Sequence, residues 1–165
     1  MLREILFADL EPEIASTRRV LDRLPDDRFG WRPHDRSWTL GELATHITNL
    51  LQWQLLIIGQ DELDLAAPQP PRNALPDRVA VLEEYDASAA ALRAAVGRLD
   101  DDRLRADWTL RAGDHVISRQ PRAVSLRMFG VSHMIHHRGQ LGVYLRLLDV
   151  AVPGVYGPTA DDAAQ

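Results

Sequence analysis

Four segments of this chain repeat apolar residues at intervals of three and four, and this periodicity limits the possible folds more than any other feature. Such spacing places apolar side chains along one face of an α-helix. Because each helix has to bury its apolar face, we expect an all-α, four-helix bundle that forms a single domain over residues 1–165. The predicted helices extend from about Leu2 to Leu24, from Ser37 or Thr39 to Gly59, from about Asp77 to Leu99 and from about Arg122 to Leu148.

The connections between the predicted helices are long. A proline-rich surface loop is predicted for residues 66–73. Within residues 100–121, Trp108 and Leu110 alternate with polar residues and are followed by Gly113, a pattern typical of a short β-hairpin before the last helix. Connections of this length allow at least one crossover between helices.

The composition excludes several kinds of chemistry. The chain contains no cysteine, and all 19 of its basic residues are arginines. Disulfides, cysteine zinc sites and cysteine nucleophiles are therefore excluded, as are lysine Schiff bases and P-loop lysines. Catalysis by this chain would depend on its other polar side chains or on a bound metal.

Charge and hydropathy predict neither a nucleic acid nor a membrane as partner. The formal net charge is −5, whereas proteins that bind phosphate backbones usually carry a basic face. No apolar run approaches the roughly 20 residues that cross a bilayer. The first ten residues include Glu4 and Asp9 and lack the apolar core of a signal peptide. We expect a cytoplasmic protein.

Histidines cluster in the last predicted helix. His133 and His137 are four residues apart and share one helical face, whereas His136 points to one side. At about 100° per residue, this face also carries six apolar residues of the helix. They are Leu126, Phe129, Leu141, Tyr144, Leu147 and Leu148. The arginines lie off this face, so we expect them to be exposed to solvent; they are Arg127, Arg138 and Arg146.

His46 has a similar position on the second helix, where Leu43, Leu50, Trp53 and Ile57 share its face. A single buried histidine more often satisfies an ordinary hydrogen bond than binds a metal. Three imidazoles directed into one interior, however, would be costly to bury unless they shared a partner. The spacing therefore predicts a divalent metal held by His46, His133 and His137, with one coordination position open as in catalytic sites. Imidazole suits zinc, nickel, copper and iron, so ligand type does not select the metal.

Two polar residues are candidates for a role beside this metal. Glu42 lies one turn before His46 and could orient a ligand, act as a base or supply a fourth ligand. It also follows Thr39 by three residues, the spacing of a helix capping box, which is an equally good explanation. Gln140 shares the face of His133 and His137 and could support a ligand, or it could bond to a neighbouring helix.

Three segments together resemble the DinB/YfiT-like superfamily. They are Trp31-Arg-Pro33, Ser37-Trp-Thr-Leu-Gly-Glu-Leu-Ala-Thr-His46 and His133-Met-Ile-His-His-Arg-Gly-Gln140. The resemblance covers nearly the whole chain and implies a four-helix bundle, commonly a homodimer, with a divalent metal, often zinc or nickel. The ligand positions that it implies are again His46, His133 and His137. Members with known activity are similar to S-transferases or isomerases that use a small thiol such as bacillithiol or mycothiol.

The resemblance and the absence of cysteine favour a metal-dependent transferase that joins a low-molecular-weight thiol to an electrophilic substrate. A coordinated thiol is deprotonated, which would supply the nucleophile that the chain lacks. A metal-dependent hydrolase is the first alternative, with Glu42 as the base. A non-catalytic metal-binding or ligand-binding stress protein is the second.

Overall fold

The computed structural model describes residues 1–68 and 73–162, which are mostly helical. Residues 69–72 of the predicted proline-rich loop and residues 163–165 lie outside the described residues. The helices are α1 (Leu2–Leu6), α2 (Leu10–Leu21), α3 (Leu40–Gly59), α4 (Arg78–Gly97), α5 (Asp101–Arg105), α6 (Arg122–Ser125) and α7 (His133–Leu147). A 3₁₀ turn covers Asp26–Arg28, and a π-helical segment, Leu126–Ser132, joins α6 to α7. The strands are β1 (Glu62–Asp64), β2 (Asp107–Ala112) and β3 (His115–Pro121).

The second and third predicted helices begin where the sequence indicates. The hydroxyl of Thr39 accepts from the backbone N–H of Glu42 at 3.2 Å, and the Glu42 carboxylate accepts from the backbone N–H of Thr39 at 2.7 Å. This reciprocal pair is a capping box at the start of α3. Asp77 caps α4 by accepting from the backbone N–H of Ala80 at 2.8 Å. Both starts are therefore fixed by local hydrogen bonds.

The first predicted helix is wrong as a continuous element. It is interrupted between Leu6 and Leu10 and ends at Leu21. Pro12 explains the interruption, because its ring would clash with the carbonyl of the residue four positions earlier if the helix continued. Proline is tolerated in the first turn of a helix, and α2 therefore begins shortly before it.

Four helices, α2, α3, α4 and α7, pack around the main apolar core, in which α2 contacts α4 and α7, and α3 contacts the same two helices. Fully buried side chains from all four contribute, including Leu21, Ile47, Leu92 and Leu141. No helix in the described ranges is both long and apolar enough to span a membrane. Two of these helices, α3 and α7, carry the three histidines singled out by the sequence.

A small mixed sheet corrects the all-α expectation. The predicted hairpin is confirmed, since β2 and β3 are antiparallel on either side of Gly113, whose φ of 59° suits a tight turn. The sequence did not indicate β1, which lies parallel to β2 with Leu63 opposite Leu110. A strand of three residues is too short to show an alternating pattern. The Leu63 side chain joins a second core with Ile57, Leu99, Leu104, Trp108, Leu110, Ala123 and Leu126.

Arg122 connects this second core to the end of α3 through hydrogen bonds. Its side chain is fully buried. The guanidinium donates to the carbonyls of Ile57 and Gln60 at 2.8 and 3.0 Å, to the carbonyl of Arg103 at 2.8 Å and to the Asp61 carboxylate at 2.6 Å. Burial of an arginine is tolerated here because its donors are satisfied by acceptors from several elements.

The last predicted helix is helical throughout but is not a regular α-helix. Across the π-helical segment the backbone hydrogen bonds run from i to i+5. A rotation of about 100° per residue therefore does not give the correct direction of side chains on both sides of this segment. Leu126, predicted on the histidine face, belongs to the second core, and Leu147, also predicted there, is 58% exposed. The prediction of which residues share the helical face of His133 and His137 therefore holds only close to these histidines.

Arg138 of the last helix was expected to be exposed to solvent, but it is buried. Its guanidinium forms an ion pair with the Glu13 carboxylate of α2, with an N–O distance of 2.6 Å. It also donates to the hydroxyl of Thr17 at 3.2 Å. A buried charge needs such a partner, and this one comes from a distant part of the sequence.

Candidate metal centre

Three histidine side chains from two helices meet at one point. His46 lies near the capped start of α3, His133 is the first residue of α7, and His137 follows one turn later. Their candidate ligand nitrogens all lie within 4.8 Å of one another. The Nε2 atom of His133 is 3.5 Å from Nε2 of His46 and 2.8 Å from Nε2 of His137. The fold thus brings together the three histidines that helical spacing singles out.

Hydrogen bonds fix the orientation of two of these rings. Nδ1 of His137 lies 2.7 Å from Oε1 of Gln140, a distance at which the ring donates to the amide oxygen and leaves the lone pair on Nε2. The His133 ring bonds to the backbone of Phe129, in the π-helical segment. Such bonds set the tautomer and direction of metal-binding histidines. Gln140 therefore contacts a candidate ligand directly, as its predicted supporting role requires.

Burial disfavours protonation of two of the three imidazoles. Burial lowers the pKa of both His133 and His137, and the bonds to Phe129 and Gln140 only partly oppose this effect. A neutral ring offers a lone pair to a cation, whereas a protonated ring does not. The lowered pKa therefore favours the form of His133 and His137 that can bind a cation.

Glu42 is engaged in helix capping, so that explanation of its position is confirmed. Hydrogen bonds from the backbone and hydroxyl of Thr39 lower the pKa of its carboxyl group, which makes it a weaker base. Glu42 also lines a cavity of about 200 Å³ that contains His46. A catalytic role for this residue stays a prediction.

Trp38 is the site residue that sequence reasoning missed. Its ring centroid lies 4.7 Å from that of His46 and 5.5 Å from that of His137. The hydroxyl of Tyr144 donates to the Trp38 carbonyl at 3.3 Å, and the Tyr144 ring contacts Trp31 edge to face. The sequence signal for this aromatic cluster is the pair of tryptophans, Trp31 and Trp38, in the loop just before the capped helix.

Two cavities flank Trp38. The larger, of about 450 Å³, adjoins His137, and the smaller, of about 200 Å³, adjoins His46. Arg36 lines the larger cavity and Glu42 the smaller. The histidine cluster can therefore be reached from two sides that differ in charge.

Known proteins resemble this chain in sequence or in fold over nearly its whole length. YrdA of Bacillus subtilis (strain 168) is 28% identical over 158 residues, which cover 94% of this chain and 88% of YrdA. A DinB-like protein from Bacillus cereus ATCC 10987 superposes with a TM-score of 0.71 at 23% identity, covering 92% of this chain and 95% of that one. The DinB-like protein YjoA of Bacillus subtilis gives a TM-score of 0.70 at 15% identity, covering 91% and 96%. The model of the DinB family matches residues 4–165, and this chain belongs to that family.

Proposed function

We propose that this protein is a divalent-metal-dependent transferase that uses a low-molecular-weight thiol and acts on an electrophilic substrate. The observation that carries the proposal is the convergence of three imidazole rings, whose ligand nitrogens lie within 4.8 Å of one another, beside an open cavity. We further propose zinc or nickel as the metal, because the resemblance to the family implies one of these two and both suit imidazole ligands. The four helices around the main core would form the bundle expected of the family.

The donor set fits a metal. The nitrogens of His133 and His137 face each other at 2.8 Å, close enough that one hydrogen at most can lie between them. A metal shared with His46 would satisfy all three lone pairs and would still leave a tetrahedral position for a substrate. Bound by these residues, it would lower the pKa of a coordinating thiol and so supply a nucleophile.

The protein's own residues would position the reactants. Gln140 would hold the His137 ring through Nδ1, and Trp38 would exclude water from one side of the cluster. Because the chain has no cysteine, the sulfur has to come from a cosubstrate. The capping role of Glu42 and its lowered pKa weaken the case for a hydrolase in which this residue activates water.

Cobalt substitution tests the proposal. A thiolate–cobalt bond gives an intense near-ultraviolet band, so addition of bacillithiol or mycothiol should raise such a band saturably. Binding should also release about one proton per site, since the sulfur binds in its deprotonated form. The His137→Ala variant should show neither effect. No change in the cobalt spectrum with either thiol would refute the transferase proposal and would leave ester or amide hydrolysis, or metal binding without turnover, as the alternatives.

A further inference from the structure

The larger cavity beside His137 has apolar walls and one charged side chain. Trp38 and Tyr144 form an aromatic wall, and Leu43 and Val143 add aliphatic surface. Among the described residues that line it, Arg36 alone carries a full charge. Ligand sites typically combine an apolar surface with a few polar groups that fix orientation. This cavity has that composition.

The guanidinium of Arg36 is available to a ligand. In the described part of the chain this guanidinium forms no hydrogen bond or ion pair. The backbone N–H of Arg36 donates to Nδ1 of His34 at 3.1 Å. Other surface arginines are paired: Arg18 with Asp86 and Arg93 with Glu11, each at 2.8 Å. A planar guanidinium binds carboxylates and other oxyanions through two parallel hydrogen bonds.

The smaller cavity on the other side of Trp38 has the opposite character. Glu42 supplies its charge, and Thr45 and Asn49 add polar groups next to His46. An anion would be repelled by Glu42 and attracted by Arg36. Trp38 therefore separates a side that disfavours anions from a side that favours them.

We propose that the larger cavity binds an apolar monoanion, such as an aryl-substituted or alkyl-substituted carboxylate, with its charged group held by Arg36. This inference rests on the proposed function in one respect: the molecule bound there would be the electrophilic substrate, placed beside His137. Arg36 is then a specificity-determining residue. The body of the substrate packs against Trp38 and Tyr144, and a cavity of about 450 Å³ is large enough for it.

Calorimetric titration of the full-length protein tests this assignment, with 4-phenylbutyrate as the probe and its uncharged amide as the matched comparison. Both titrations are made with metal-free and zinc-loaded protein, because a carboxylate could also bind a metal directly. We expect the carboxylate to bind both forms, and the amide to bind about tenfold more weakly, since a charge-assisted hydrogen bond is lost.

Three variants locate the binding site. Arg36→Gln should weaken binding of the carboxylate about tenfold and leave binding of the amide unchanged. Arg32→Gln removes the same charge from an exposed residue outside the cavity and should change affinity by less than about twofold, because surface charges are screened. Val143→Trp fills the cavity from a residue that is 59% exposed, and it should abolish binding of both molecules without unfolding the protein.

Equal affinities for carboxylate and amide, or equal losses in Arg36→Gln and Arg32→Gln, would overturn the inference. So would carboxylate binding that persists in Val143→Trp or that requires zinc. The proposed function fails separately: a protein that holds no metal but binds 4-phenylbutyrate through Arg36 would retain this site and lose the transferase assignment.

Discussion

Gly130 and Gln54 are in such close contact that a Cβ atom on Gly130 would lie 2.4 Å from Cγ of Gln54. Gln54 is fully buried in α3, where its amide donates to the carbonyl of Leu50 at 3.4 Å. Gly130 belongs to the π-helical segment that leads to His133. The absence of a side chain at residue 130 therefore sets the distance between α3 and the segment that carries two of the three histidines.

Gly130→Ala should destabilise the protein by about 1–3 kcal/mol, because the added methyl group overpacks a buried contact. Urea unfolding followed by circular dichroism measures the change. The matched control is Gly139→Ala on α7, where the described residues place no atom within 4 Å of the added carbon apart from the adjacent backbone of the same helix. That substitution should be neutral or stabilise by up to about 1 kcal/mol, since alanine favours helix more than glycine. Equal stability of the two variants would show that the contact with Gln54 relaxes freely.

Loss of any one of the three converging histidines should sharply lower the metal content of the purified protein. His46→Ala, His133→Ala and His137→Ala each remove one of the donors that lie within 4.8 Å of one another. His136 is exposed and lies outside this group. We therefore expect His136→Ala to retain most of the metal, as measured by elemental analysis. Similar losses in all four variants would contradict the assignment of ligands.

Gln140→Ala should weaken metal binding about 10- to 100-fold without abolishing it, the usual effect of removing a residue that orients a ligand. The affected bond is the one of 2.7 Å between Oε1 of Gln140 and Nδ1 of His137. Competition with a chromophoric chelator gives the affinity. Gln140→Glu should restore it, because a carboxylate oxygen can also accept from Nδ1. If Gln140→Ala binds metal as tightly as the unaltered protein, then this bond does not orient the ring.

Glu42→Gln distinguishes capping from catalysis. Glutamine serves in a capping box as glutamate does, so we expect unchanged stability and unchanged metal content. Glu42→Ala should lose about 0.5–2 kcal/mol of stability, because a cap is removed. A hydrolase that uses Glu42 as its base would instead lose a factor of about 10²–10⁴ in turnover in both variants. Rates on an ester and amide panel, measured beside thermal unfolding, separate these outcomes.

The metal-free protein should become less stable as the pH falls below about 6.5, the pKa of histidine in an unfolded chain. Burial lowers the pKa of His133 and His137 in the folded chain, so the unfolded chain binds more protons in this range. The free energy of unfolding should therefore rise with pH up to about 6.5 and then level off. Urea unfolding in the presence of a chelator measures the slope. In the double variant with His133→Gln and His137→Gln, the free energy of unfolding should depend less on pH. An unchanged dependence would mean that groups other than these two histidines cause it.

The candidate site was predictable because its parts are local. The i, i+4 relationship of His133 and His137 lies within one regular helix, where side-chain direction follows from spacing alone. His46 follows a capping box that fixes both the start and the phase of α3. Within a few turns of such anchors, errors in rotation remain small, so the predicted histidines face one another.

Features that depend on distant partners could not be predicted in the same way. Arg138 is buried because Glu13, 125 positions earlier, pairs with it. The strand at Glu62–Asp64 exists because β2 offers it a parallel edge. The break near Pro12 is a different case, because the proline that causes it is visible in the sequence itself.

Because of the π-helical segment, the number of residues between the hairpin and His133 determines how the sheet and the histidine cluster are oriented relative to each other. A π turn accommodates about one residue more than the α turn that it replaces. Deletion of a single residue from this segment, such as the half-exposed Met128, would restore an α-helix and rotate its two ends by about 100° relative to each other. Either Arg122 would leave its buried acceptors or His133 and His137 would turn away from His46. An alignment gap at this position would therefore identify relatives in which the sheet and the histidine cluster are connected differently.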